Sequence, residues 1–274
     1  MNLEGKTVLV TGSTDGVGRL VARRLADLGA RVLVHGRDRP RGEQVVEQIR
    51  AAGHGSALFL PADFSSLAEM RRLAEVARQN SDRLDILINN AGIGSGGPGA
   101  RRETSQDGYE LRFAVNYLSG FVLTRLLLPL LTLNKPTRVV NVSSLGQHPI
   151  DFDDVMLTRS YTGGRAYTQS KLAQIMFTFD LARELDPATI TANCLHPATY
   201  MATTMVRQSG VTPISTVEQG AEAILNLAAS DKLAGHSGEF YNGLTPSRAI
   251  PQAYDKQDRE RLRALSARLT GLAS

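Results

Sequence analysis

Tyr167 and Lys171 stand four residues apart in the run Tyr167-Thr168-Gln169-Ser170-Lys171. The surrounding pattern is helical, so the two side chains share one face. A phenol titrates at about 10 and is a poor acid or base near neutrality. An ammonium one turn away stabilises the phenolate and lowers that value. The pair is therefore a candidate proton donor and acceptor for interconverting a carbonyl and an alcohol. Taken alone it has an ordinary alternative, two solvated residues on a helix surface.

The elements that must hold this pair follow from the hydrophobic periodicity. Apolar runs rich in Val, Ile and Leu at 7–10, 31–34, 56–60, 84–88, 137–142 and 189–194 read as buried parallel strands. Amphipathic stretches lie at 17–28, 41–51, 67–78, 106–131, 165–184 and 217–229, and 239–241 reads as an edge strand. This alternation predicts an α/β chain: a single-domain Rossmann fold over residues 1–274, with a doubly wound, mostly parallel sheet and helices on both faces. Ligands of such sheets bind beyond the carboxyl ends of the strands, where the strand order reverses.

The distinctive motifs fall at those ends. The first strand leads into Thr11-Gly12-Ser13-Thr14-Asp15-Gly16-Val17-Gly18. Gly12 suits a tight turn, Gly16 lets the backbone approach a pyrophosphate, and Gly18 lets a helix pack closely on the strand. The second strand ends at Gly36-Arg37-Asp38. An acidic residue at such a strand end binds a ribose 2′-hydroxyl, whereas an arginine accommodates a 2′-phosphate. Gly36 and Arg37 favour NADP over NAD, although Asp15 and Asp38 add negative charge nearby. Asp63, before Phe64, could accept a hydrogen bond from an adenine amino group or cap a helix together with Ser65 or Ser66. Asn90, Ala91 and Gly92, after the fourth strand, allow close backbone approach to a cofactor ribose, and an asparagine there can tie neighbouring strands together.

Composition narrows the classes. The chain has 274 residues, 42% hydrophobic and 21% charged, as a soluble globular protein does. Its single cysteine, Cys194, excludes an intrachain disulfide framework and fits a reducing compartment. The formal charge is +4 and the sequence pI about 9.4. No run of five basic residues occurs, so a polyanionic cofactor accounts for this mild basicity better than nucleic acid does. The histidines at 35, 54, 148, 196 and 236 form no ligand spacing, so no metal is expected. The apolar stretch 121–133 contains Arg125 and Pro129 and is too short to span a bilayer. The N-terminal residues lack a signal-peptide core. The expectation is a cytoplasmic protein with no membrane attachment.

Taken together, TGSTDGVG at 11–18, the Asp63 loop, NNAG at 89–92, Asn116, VVNVSS at 139–144 and YTQSK at 167–171 resemble the short-chain dehydrogenase/reductase family. Residues 107–110 and 114–121, read as DGYE and AVNYLSGF, are similar to the corresponding segments of the retinol dehydrogenase group. That group also shares a long interval between Ser144 and Tyr167, though its membrane-bound animal members carry an N-terminal anchor.

The resemblance implies a mechanism and a partner set. Tyr167 would exchange the proton with the substrate oxygen. Lys171 would lower the Tyr167 pKa and hold the nicotinamide ribose. Ser144, rather than Ser143, would bind the substrate oxygen, and Asn116 would hold a water linking Lys171 to solvent. Ser13, Thr14, Asp15, Val17, Phe64, Pro197 and Thr203 join the cofactor-binding set, with Thr203 preferred to Thr204. Substrate walls would come from 94–101, 145–166 and 198–214. Their apolar residues, among them Phe152, Val155, Met156, Leu157, Tyr200 and Met205, suggest a lipophilic small molecule, or else ordinary loop packing. A homodimer or homotetramer through 106–131 and 165–184 is expected. A non-catalytic NADP(H)-binding sensor on the same fold is the alternative of a different class.

Overall fold

The computed structural model describes residues 2–97 and 99–272; Pro98, in the 94–101 loop, lies outside the described residues. One sheet runs through the molecule in the order β3-β2-β1-β4-β5-β6-β7-β8. Its strands are β1 (Thr7–Val10), β2 (Arg31–Gly36), β3 (Ser56–Pro61), β4 (Ile86–Asn89), β5 (Thr137–Val142), β6 (Ile190–His196), β7 (Phe240–Asn242) and β8 (Thr245–Ser247). β1 to β7 pair in parallel and β8 returns antiparallel to β7. The order reverses between β1 and β4, as the doubly wound reading requires.

The helices are α1 (Gly16–Asp27), α2 (Arg39–Ala52), α3 (Leu67–Asn80), α4 (Ser119–Leu133), α5 (Gly163–Glu184), α6 (Thr204–Gln208), α7 (Val217–Ala229) and α8 (Lys256–Thr270). Local chemistry sets their ends. Asp15, Asp38 and Ser66 cap α1, α2 and α3 with side-chain oxygens, and Thr216 with Gln219 forms a capping box on α7. Side chains alternate across the strands. Leu9, Leu33, Leu87 and Val139 enter one core with Leu73, Phe121 and Ile175 of α3, α4 and α5. Val8, Val32, Ile86 and Val140 enter the other with Val21, Val45 and Ile224 of α1, α2 and α7.

Three differences from the sequence reading matter. The stretch 106–131 is not one helix: a turn and a bridge come first, then a π-helical turn over Phe113–Leu118, then α4. The run Phe113–Leu133 is long and apolar enough to cross a membrane, yet 72% of its most apolar window is buried in the protein. The chain also ends in α8, which the sequence reading did not place. Ser266 meets the Tyr117 hydroxyl at 2.6 Å and Arg263 lies 3.5 Å from Asp180. α8 therefore packs on the π-helical turn and α5, within the stretches 106–131 and 165–184 expected to carry a subunit contact.

Candidate active site

The glycine loop and the loop after β4 meet at the switch point. Gly12 has φ of 63°, and a Cβ there would lie 2.8 Å from the Ala91 Cα. Asn90 Nδ2 donates to the Thr11 and Gly12 carbonyls at 2.9 and 3.1 Å, tying β4 to the loop. A Cβ on Gly18 would stand 2.3 Å from the Gly12 oxygen and 2.4 Å from Asn90 Nδ2. Gly18→Ala must therefore displace the loop itself, at a cost of about 1–3 kcal/mol. We expect dinucleotide affinity to fall ~5–150-fold in this variant, as read by a binding titration.

Three residues expected to bind cofactor turn their side chains inward instead. Ser13 is fully buried; its hydroxyl donates to the Val10 carbonyl at 2.7 Å and accepts from His35 N at 2.9 Å. The Phe64 side chain is buried and stacked on His35, ring centroids 4.2 Å apart. Ser13 and Phe64 lock the loops from below, and only their backbones can serve a ligand. Val17 likewise puts its side chain into the α1 core. His35 Nδ1 accepts from Gly12 N at 3.1 Å, which requires a neutral ring; burial holds its pKa down to about 4.

The polar rim of the cofactor end is charged in both senses. Asp15 caps α1, accepting from Gly16 N at 2.7 Å, and lies 3.6 Å from Arg41. Burial pushes its pKa up, but the Thr204 hydroxyl, Gly16 N–H and Arg41 outweigh that and the net shift is downward. Asp63 holds a turn by accepting from Ser65 N at 2.9 Å and lies 3.9 Å from Arg37; the cap of α3 is Ser66. A Cβ on Gly36 would come within 2.5 Å of the Thr14 methyl, so any side chain there requires Thr14 to shift. Arg41, which the sequence reading missed, sits beside Asp38 at 3.3 Å in the first turn of α2.

The four proton-handling residues converge at the carboxyl ends of β4, β5 and β6. The π-helical turn aims Asn116 at the loop after β4: Oδ1 accepts from Ile93 N at 2.7 Å, while Nδ2 donates to Ile93 O at 3.1 Å and Ser170 Oγ at 2.9 Å. Its amide is engaged with protein, so the side chain fixes this loop. Ser143 donates to the Lys171 carbonyl, whereas the Ser144 hydroxyl faces Tyr167.

Tyr167 is half-buried. Burial raises its pKa, the Ser144 hydroxyl opposes this, Tyr200 adds to it, and the net shift is upward. The expected lowering by Lys171 does not prevail, because the ammonium points elsewhere. It donates to the Val142 carbonyl and to Gln174 Oε1, both at 2.9 Å, and lies 5.8 Å from the Tyr167 ring centroid. Burial brings the Lys171 pKa down to about 7. A Cβ on Gly92 would fall 3.2 Å from Asn116 Oδ1 and 3.5 Å from Lys171 Nζ. A bare backbone beside an ammonium fits a ribose hydroxyl, and the glycine loop at the α1 N-terminus fits a pyrophosphate. A dinucleotide thus matches the residues present.

The expected substrate walls divide. Val155 and Leu157 of the 145–166 segment are buried in the core, and Phe152 lies 4.4 Å under the Arg261 guanidinium of α8. Those residues are loop packing. Leu145, Tyr200, Met205 and Ile214 stay exposed around the site. The segment bearing α6 folds over the glycine loop: a Cβ on Gly16 would lie 3.3 Å from the Thr203 methyl, and one on Gly94 would lie 3.0 Å from Met205 Cγ. Pro197 is buried at the base of this segment. Arg112, also missed, is buried at the start of the π turn. It donates to the Gly94 and Ser95 carbonyls at 2.9 and 3.2 Å and to Tyr161 Oη at 2.6 Å, and lies 3.5 Å from Glu110.

This fold and this site define an oxidoreductase that uses a nicotinamide dinucleotide to act on CH–OH or C=O groups, and the chain belongs to the short-chain dehydrogenase family, whose model matches residues 6–213. Within it the chain is retinol dehydrogenase-like. It is 36% identical to human retinol dehydrogenase 13 over 291 residues, covering 98% of this chain and 86% of that protein. A crystal structure of an uncharacterised Mycobacterium paratuberculosis protein superimposes with a TM-score of 0.80 at 29% identity, covering 99% of this chain and 95% of that one. The Pseudomonas aeruginosa RhlG/NADP active-site complex gives 0.71 at 30% identity, covering 88% and 95%.

Proposed function

We propose that this chain is an NADP(H)-dependent reductase of lipophilic carbonyl compounds. The observation that carries the reading is the cofactor end of β2. Gly36 supplies no carboxylate for a 2′-hydroxyl, while Arg37 and Arg41 lie exposed at this end, in ion pairs with Asp63, Asp15 and Asp38 that a 2′-phosphate would exchange. The RhlG complex, a structural neighbour, binds NADP.

A bound nicotinamide supplies or accepts the hydride. The protein's own residues position the substrate and move the proton. Ser144 Oγ donates to the carbonyl oxygen and stabilises the charge that gathers there. Tyr167 Oη delivers the proton. A phenol holds its proton at neutral pH, and the upward shift from burial keeps it so. The Lys171 ammonium, 5.8 Å from the Tyr167 ring centroid, would reach the phenolate left behind by turning from Val142 O and Gln174 Oε1. The apolar rim of Leu145, Tyr200, Met205 and Ile214 supports a lipophilic substrate.

The sensor alternative has no use for both Ser144 and Tyr167 facing one another. The test is NADPH oxidation, followed at the nicotinamide absorbance across lipophilic aldehydes and ketones, with NADH in parallel. Arg37→Ala and Arg41→Ala should each weaken NADPH binding ~10–100-fold, the worth of a charge-assisted hydrogen bond, and leave NADH binding unchanged. Equal losses for both cofactors would sink the NADP assignment.

A further inference from the structure

Lys171 is buried, and its charge has no carboxylate partner among the described residues. The groups facing it are Tyr167 on α5, His196 at the end of β6, Asn116 on the π turn and the backbone of Gly92 and Val142. His196 is held neutral, its pKa pushed down to about 4 by burial and then by Lys171 itself. The ammonium is therefore supported by two neutral oxygens, Val142 O and Gln174 Oε1, each at 2.9 Å. A backbone carbonyl at a strand end is available whatever the side chains are. Gln174 is the replaceable part.

Gln174 is 3% exposed and lies one turn beyond Lys171 on the same face of α5. Lysine has only donors, so the oxygen end of the amide must face it. Each alternative side chain would change the site in a definite direction. An apolar residue would leave a buried N–H without an acceptor and favour the neutral amine. A carboxylate would hold the ammonium in a buried ion pair and restrain it from Tyr167. An amide oxygen supports the cation without neutralising it.

We propose that Gln174 is a positioning residue that keeps Lys171 charged yet available to Tyr167 and to a nicotinamide ribose. This rests on the reading of Lys171 as the cation of the reductase site. Nothing about its placement requires turnover, so it can be tested on the folded protein directly.

The chain contains five lysines, few enough to resolve by NMR after labelling with lysine enriched in 13C at Cε. Lys171→Met assigns the signal. In the unaltered protein Lys171 should titrate near 7, well below the exposed lysines. Gln174→Met should move its midpoint down by about half a pH unit or more, and Gln174→Glu should move it up by about one unit or more. The pH at which kcat for carbonyl reduction falls should shift in the same two directions. Should Gln174→Met fail to fold, the isosteric Gln174→Glu still decides the question. Midpoints that do not move in folded variants overturn the proposal. The reductase reading fails separately, if Tyr167→Phe retains full turnover, and that result leaves the titration intact.

Discussion

Tyr167→Phe should lower carbonyl reduction by about 10²–10⁴-fold, the usual worth of a positioned general acid, and leave NADPH affinity close to that of the unaltered protein. That loss corresponds to ~3–5 kcal/mol of transition-state stabilisation. The substitution deletes one oxygen and keeps the ring. The Lys171 bonds to Val142 O and Gln174 Oε1, and the Asn116 bonds to the loop after β4, do not involve the phenol. Cofactor contacts therefore persist while the proton source is gone. The pH dependence has a definite sign. Burial raises the Tyr167 pKa, so the unaltered protein holds the proton through neutral pH and reduction persists there, while alcohol oxidation rises with pH as the phenol ionises. Both arms are measured by steady-state NADPH oxidation and NADP reduction across pH, with fluorescence titration for binding. An unchanged kcat in the Tyr167→Phe variant would remove Tyr167 from proton transfer.

The parts of this site that were legible in the sequence share a cause. Parallel strands buried on both faces must be continuous apolar runs, so β1, β2, β5 and β6 announced themselves. Gly12 and Gly18 were legible because the backbone approaches so closely that an added Cβ would lie 2.8 Å from Ala91 Cα and 2.3 Å from the Gly12 oxygen. Side-chain direction was not legible. Ser13 and Phe64 lie in the right loops but turn inward, and no periodicity in a loop reports that. Asn116 reads as a residue within a regular helix, whereas a π turn, an insertion in the helical ladder, aims it at Ile93. α8 carries little hydrophobic periodicity, because its buried stripe is Arg259, Leu262, Ser266 and Thr270, with one apolar residue in four. β8 is three residues long and contains Pro246. Arg112 did leave a signal. A charge beside Glu110 at the head of the apolar run Phe113-Ala114-Val115 needs a buried partner.

That pairing gives the largest expected effect on stability. Arg112 and Glu110 expose 4% and 1% of their side chains. Glu110 keeps only the Phe113 N–H at 2.7 Å and the longer Tyr161 hydroxyl contact at 3.4 Å when the guanidinium is removed. Arg112→Met should therefore destabilise the fold by about 3–5 kcal/mol, the usual consequence of leaving a buried charge uncompensated. Thermal unfolding followed by circular dichroism should show a Tm lower by roughly 6–20 °C for a domain of this size. The same guanidinium holds the Gly94 and Ser95 carbonyls and Tyr161, so it joins the loop after β4 to the 145–166 segment. Below the melting range, KM for a lipophilic carbonyl should rise more than kcat falls, because the mouth loosens while Ser144, Tyr167 and Lys171 stay on their own elements. Adding Glu110→Gln separates the two roles. The double variant removes the orphaned charge and should recover ~1–3 kcal/mol over Arg112→Met alone, yet keep the raised KM. If both variants melt alike, the charge on Glu110 is not what Arg112 compensates, and its bonds to the two carbonyls and Tyr161 account for the whole loss.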